Sequence, residues 1–561
     1  MSQRAAAGGE RLLVSFLLLY IAFTTLWPLA RLFAAAFEPS EDGSFFGLFT
    51  ETLSSRSTLR ALGASLYTSG LAVVVSALLG VSLAFAVSLL RLKSRAPLTF
   101  LILMPLIVPS QTMALAWIEL FGSNSPILKL LGLAPQPGSS NPLYSASGIA
   151  LVMGVEHMPL VFIAVRAALR ALPADLVEAA RIQGIPAHRI GTGIVLPVIL
   201  PSAAAGSLIA FTAAIGNFGV PALLGIPGRV TVLTTLIYQK LNGFGPSAAG
   251  QIAVIALLLT GIAALAFFLR NLVISRVAVP LPAGKPFEPS RGAPFVEALL
   301  WLVVLFVSIA PLAALTMTAL LPAIGVEFRL ENISLAEFFR VFGNDAVRRA
   351  FLNSFGLSLF TAAAGVMVSV LFAFLAVRRS SRILKIFDIL VEAPWVIPGT
   401  VVALGMILAF LKPLPVIGVS IYGTMGILAV AYLARFLALV LRPVTAAAST
   451  ADPSLDEAAC IAGARLHHRI FSIFMPGVLP AAVAGSILVT MTVVNELTLS
   501  ALLWSSGHET IGVMVFAFQY EGNSTGAATV AVISTLIVFV LAGVVTTFAR
   551  FLPRGTLPWT A

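Results

Sequence analysis

A chain of 561 residues that is 59% hydrophobic and only 10% charged, with a mean hydropathy of +1.02, cannot present a water-facing surface, because soluble domains carry about 25% charged residues. The class is an all-α polytopic membrane protein, since long unbroken apolar runs stand where a membrane barrel would show alternating strands of roughly ten residues. The net charge of +11 is spread over short loops with no aromatic-interleaved basic domain, so nucleic acid is excluded as a partner. The single cysteine, Cys460, excludes an internal disulfide.

A membrane-spanning helix needs about 20 apolar residues and tolerates glycine and proline. In chain order, spans are predicted near 12–34, 61–90, 98–121, 146–169, 194–220 and 246–270, and then near 294–320, 350–377, 386–411, 424–446, 473–500 and 524–549. The first of these lacks a small-residue cleavage site and is followed by Arg31, so it reads as a span and not as a signal peptide.

Twelve spans place both termini on one side. That side collects 22 of the 34 basic residues, among them Arg91, Lys93, Arg95, Arg181, Arg189, Lys285, Arg291, Arg379, Arg465, Arg469, Arg550 and Arg554. The positive-inside bias makes it cytoplasmic.

The two halves repeat. "MPLIVPS" (104–110) answers "APWVIPG" (393–399) at an offset of 289, and polar stretches match at 279: Glu178 with Glu457, Gly184 with Gly463, Ile194 with Ile473, Pro197 with Pro476. Six spans per half give the copies one orientation, related by a pseudo-twofold axis along the membrane normal with a path between them. The expected division is 1–60 (first span and outer loop), 61–271 (first six-helix domain), 272–349 (linker, seventh span and outer loop), 350–547 (second domain) and 548–561 (tail), with Asn271–Ala293 as the cytoplasmic linker.

"LPADLVEAARIQG" (172–184) reads as a short helix. Asp175 and Glu178 suit the positive end of its dipole. Gly184 is its expected stop. Lying on the cytoplasmic face between two spans, such a helix can be gripped by a partner, with small Ala179 and Ala180 permitting close approach; a single copy could equally be a tether. There are two copies. Both fit Glu-Ala-Ala, three residues, Gly, nine residues, Ile, one residue, an apolar residue, Pro.

This pattern resembles the Glu-Ala-Ala coupling loop of type I importer permeases of the ATP-binding-cassette superfamily. The resemblance covers about residues 60–271 and 350–547 and assigns ATPase coupling to Glu178, Ala179, Ala180, Gly184 and Pro197 and to Glu457, Ala458, Ala459, Gly463 and Pro476. It implies two copies of a nucleotide-binding subunit that hold ATP and Mg, and an extracytoplasmic binding protein that chooses the substrate. It implies no catalytic group in this chain, which has no Walker A pattern. A fused two-half chain is most similar to ferric iron and thiamine permeases, and "NFGVPALLG" (217–225) and "NELTLSALLW" (495–504) resemble iron-type sequences. Ferric iron is the expected cargo, with thiamine, polyamine or another small solute as the alternative.

A competing class is the ion-coupled secondary transporter with twelve spans, which needs ionisable groups at mid-membrane. Glu156, His157, Glu392, Arg435 and Glu496 are candidates, either as path residues or as interhelical polar contacts. Glu496 aligns with Asn217 at offset 279, so this pair is expected to line the entry to the path. No metal ligands are assigned.

Overall fold

The computed structural model describes residues 2–39, 43–244, 248–277, 292, 294–378, 382–414, 418–452 and 454–547. Most of the expected linker, with Lys285 and Arg291, lies outside the described residues, as do Arg379 and the tail with Arg550 and Arg554. The protein is an all-α membrane protein. Ten helices among the described residues are long and apolar enough to cross a bilayer unbroken, and two bent pairs bring the number to twelve.

The bent pairs correct the expected straight spans at 98–121 and 386–411. Arg95–Ile107 meets Ser110–Leu130 at 106°, and Arg382–Val396 meets Gly399–Phe410 at 110°. Both breaks fall in the repeated "IVPS" and "VIPG" stretches. Proline disfavours helical geometry in the residue before it, and Val108 is extended with ψ 132°. Pro109 (ψ 143°) and Pro398 (ψ 139°) are themselves extended before the chain turns back into helix.

Each bent pair still crosses the membrane. A Cβ on Gly154 would strike Val75 and Ala72, while Gly80 abuts Met158, Val161 and Phe162. Residue numbers rise together along Arg56–Leu89 and Ala146–Arg170, so those spans run parallel and the chain between them must return. In the second half Gly365 faces Leu437 and Val440, and Ala373–Val377 lie with Thr445–Ser449 across a shared cleft. The same reasoning therefore makes the ninth segment a crossing.

The fifth and eleventh spans start earlier than expected, as His188–Ile215 and Leu466–Val494. Pro197 and Pro476 each sit just beyond a π-helical turn, Gly191–Val195 and Arg469–Phe474. A proline has no N–H to give and crowds the carbonyl four residues back. Widening that turn accommodates the ring without ending the helix. Two helices also occupy stretches expected to be loops, Leu233–Phe244 and Ile511–Tyr520, wedged among the spans near the face opposite the termini.

The halves interlock. The first span packs on the second half: Leu17 and Ile21 join its core, and the Tyr20 hydroxyl donates to Leu433 O at 2.8 Å. The seventh span, Pro294–Ala319, packs on the first half, where Trp301 Nε1 donates to Ser94 Oγ at 2.8 Å and Ser308 to Leu101 O at 3.0 Å. Glu297 caps the backbone N–H of Lys93 and of Ser94. Each arm is thus fastened to the opposite half by polar groups that apolar sequence could not supply.

Candidate functional sites: two exposed loops and the cavity between the halves

The Glu-Ala-Ala stretches form helices Ala174–Ile182 and Ser454–Ile461 on the face that carries the N-terminus. Gly184 (φ +73°) and Gly463 (φ +77°) end them in the left-handed region that favours glycine. Ile185 N then bonds Ala180 O at 3.1 Å, and Ala464 N bonds Ala459 O at 2.9 Å, closing the last turn of each.

Burial splits the expected contact residues. Glu178, Ala179, Glu457 and Ala458 are exposed, and Ala459 is half-buried. Ala180 faces inward and packs into the first half's core, so it is not open to a partner. The sequence reading passed over an apolar pair on each helix. Ile182 and its repeat mate Ile461 are 87% and 89% exposed, and Leu176 and Leu455 are exposed on the same helices. Their recurrence at offset 279 was readable in the sequence; their exposure was not.

The second site is a cavity of about 550 Å³ between the halves. It is lined by Ser110, Glu156, His157 and Asn217 from the first half and by Glu392, Arg435 and Thr498 from the second. Five of the six residues expected on the path thus share one cavity. Glu496 does not line it, which corrects the expected entry pair. Its carboxylate turns back into its own loop, accepting from Leu499 N at 2.8 Å and Ser500 N at 3.0 Å. Asn217 does the equivalent work by accepting from Val220 N at 3.1 Å while still facing the cavity.

Glu156 and Arg435 are themselves repeat mates at offset 279, and they fasten the two helix breaks from opposite ends. Glu156 accepts from Ser110, the first residue of the helix after the break, and from Asn217 Nδ2 at 3.1 Å. Arg435 donates to the carbonyls of Ile397 at 2.9 Å and Pro394 at 3.3 Å, which the break frees on the other side. An acid suits the N–H-rich start of a helix and a cation its carbonyl-rich end. Glu392 sits at the mouth, paired with Arg442.

Packing at the break shows the same exchange. Gly219 lies against Ser110, whereas in the other half Thr498 lies against Gly399; a Cβ on Gly399 would come within 2.7 Å of Thr498. One partner of each contact carries the side chain and the other must lack it. On the side away from the termini the halves close the cavity, with Gln111 Nε2 donating to Asn495 O at 2.7 Å and Gly216 meeting Pro398. Among the described residues no three His, Cys, Asp or Glu are grouped to hold a metal ion.

A family profile, binding-protein-dependent transport system inner membrane component, matches residues 76–279 and again 365–556, together more than half of the chain. The chain belongs to this family. The permease carries both of its domains in one polypeptide, and is similar over most of its length to other permeases. The ferric transport system permease protein FbpB of Actinobacillus pleuropneumoniae is 25% identical over 95% of this chain and 77% of its own. The probable ABC transporter permease protein y4fN of Sinorhizobium fredii is 28% identical over 67% of each. The sulfate transport system permease protein CysT of Escherichia coli is 25% identical over 46% of this chain and 90% of its own.

Membership makes this permease an inner membrane component of a binding-protein-dependent transport system, a family whose permeases work in general with ATPase and substrate-binding partners. Within this permease, the two proline breaks hold Glu156, through Ser110, and Arg435, through the carbonyls of Pro394 and Ile397. The signal for them was present in the sequence as a β-branched residue followed by proline, repeated in both halves.

Proposed function

We propose that this permease is the import path for ferric iron, driven by two ATPase subunits that dock on the helices Ala174–Ile182 and Ser454–Ile461. The observation that carries the reading is the duplicated exposed surface: Leu176, Glu178, Ala179 and Ile182 recur as Leu455, Glu457, Ala458 and Ile461. Two identical grooves on two identical ATPase subunits require a twice-presented surface of this kind. ATP and Mg belong to those subunits, and closure of the ATPase pair draws the two helices together. That movement separates Gln111 from Asn495 and Gly216 from Pro398, opening the cavity to an extracytoplasmic binding protein.

Iron is favoured by extent. The ferric permease relatives align over 95% and 88% of this chain, spanning both halves, whereas the sulfate relatives cover 46% and the molybdenum relatives 30%. Ser110, Glu156 and Asn217 offer oxygen atoms, the donors a hard cation takes, and thiamine or a polyamine remains the alternative cargo. The test is purification from iron-limited cells followed by reconstitution. An ATPase subunit should copurify, and ferric uptake should require ATP and the cognate binding protein. Uptake by the chain alone, driven by a proton gradient, would sink the reading in favour of a secondary carrier.

Orientation follows from the same reading, with the termini and both docking helices cytoplasmic. Cys460 is exposed on the second helix and is the only thiol in the chain. A membrane-impermeant maleimide should leave it unlabelled in intact cells and label it in inverted vesicles stripped of ATPase subunits. Labelling from outside would reverse the topology.

A further inference from the structure

The two Glu-Ala-Ala loops share a backbone plan but carry opposite chemistry at one pair of matched positions. At offset 279, Val177 and Ile190 of the first loop correspond to Asp456 and Arg469 of the second. Val177 and Ile190 are buried together in the first half's apolar core. Arg469 is also buried, 1% exposed, and donates to Asp456 through Nε at 2.8 Å and Nη2 at 2.7 Å.

The charges continue beyond the loop. Arg378, at the end of the eighth span, pairs with the same Asp456 carboxylate, and Glu10 of the first span lies 3.9 Å from Arg378. The ring of Phe374 faces both guanidinium groups, 5.3 Å from Arg378 and 5.6 Å from Arg469. At offset 289 the first half keeps the aromatic as Phe85 but has Leu89 in place of Arg378. The first loop therefore lacks the loop and eighth-span residues of this cluster.

The two fastenings differ in stiffness. A Val–Ile contact is non-directional, and its free energy changes little when one surface slides over the other. A bidentate guanidinium–carboxylate pair fixes distance and angle at once. Opening it here would leave a buried charge without a partner, which is strongly unfavourable. We propose that Asp456 and Arg469 are positioning residues that clamp the second Glu-Ala-Ala helix to the eleventh span and, through Arg378, to the eighth and first, a clamp that Val177 and Ile190 replace by a more yielding apolar contact at the first helix. Resting on the coupling reading above, this makes the two ATPase contacts mechanically unequal, with the second loop a fixed lever and the first a yielding one.

The lone thiol provides the test. A nitroxide on Cys460 in the purified full-length permease in lipid nanodiscs reads motion of the second helix. A179C and A458C, each in a C460S background, place the same label at equivalent exposed positions of the two helices. The labels at 460 and 458 should give the broader, less mobile spectra, and D456N should sharpen them toward that at 179. D456V/R469I installs the first loop's pair in the second loop and should make the two spectra alike. Replacing a buried ion pair with apolar side chains is commonly tolerated, and an unchanged elution profile checks that the variant is folded. Equal mobility of the two wild-type sites, or no response to D456N, would overturn the proposal, and the wild-type comparison stands even if a variant fails to fold. If the mobility contrast is present but no ATPase subunit binds either helix, the clamp survives and the coupling reading fails.

Discussion

Reversing both exposed acids, E178K with E457K, should abolish ATP-driven uptake while leaving the permease inserted and folded. Both carboxylates are exposed on their helices, so the membrane part should keep its melting temperature. Like charges brought together at an interface, or a charge left unpaired there, cost on the order of 2–5 kcal/mol. That weakens docking at each helix by about 30-fold or more. With both helices engaged at once in the proposed assembly, the double variant should yield permease largely free of ATPase subunits. A single reversal should leave a partial complex with reduced uptake. Copurification of the ATPase subunit and uptake into reconstituted vesicles check this, and normal uptake by the double variant would refute docking through these acids. I182S with I461S attacks the same surface through its apolar part and should weaken docking without changing charge.

The second large effect is on stability, and it separates the repeat mates Glu156 and Arg435. R435M should destabilise the permease by about 3–5 kcal/mol, the usual cost of breaking a buried charged contact from one side. It strands the carbonyls of Pro394 and Ile397 at the break in the ninth span and removes the cation that interacts with Glu496. E156Q should cost about 1 kcal/mol, because an amide still accepts from Ser110 or Asn217. Melting in detergent, followed by intrinsic fluorescence, measures both. E496Q removes one of two carboxylate oxygens that hold Leu499 and Ser500, so it should lower melting and change substrate dependence little. Because Arg435 and Glu496 interact, R435M with E496Q should cost less than the sum of the two. An R435M protein that melts like the parent would show that the guanidinium does not hold the break, leaving it to act on cargo alone.

Much of this protein was legible from residue order. Apolar runs of bilayer length gave the spans, since the hydrocarbon core admits only segments that satisfy their own backbone. The recurrence of Glu178, Gly184 and Pro197 as Glu457, Gly463 and Pro476 placed the exposed loops and the halves, because those positions depend on local turn chemistry that a one-dimensional pattern carries. Gly184 and Gly463 do adopt the positive φ that stops each helix. Even the breaks were written locally, in Val108-Pro109 and Ile397-Pro398, although a count of apolar residues runs straight through them.

What the order could not supply is everything that depends on which surfaces meet. Glu496 reads as a path residue beside Asn217, yet only the fold shows its carboxylate turned onto Leu499 and Ser500 and away from the cavity. Ala180 and Ala179 are neighbours of one type in the sequence, and the packing of one helix face buries the first and exposes the second. The crossing of the first and seventh spans onto opposite halves is invisible to hydropathy, which measures a segment's preference for lipid but not its choice of neighbour. In a membrane that choice rests on close packing and a few polar contacts, such as Tyr20 on Leu433 and Trp301 on Ser94. Those contacts join residues hundreds of positions apart, and only the assembled bundle brings them within hydrogen-bonding distance.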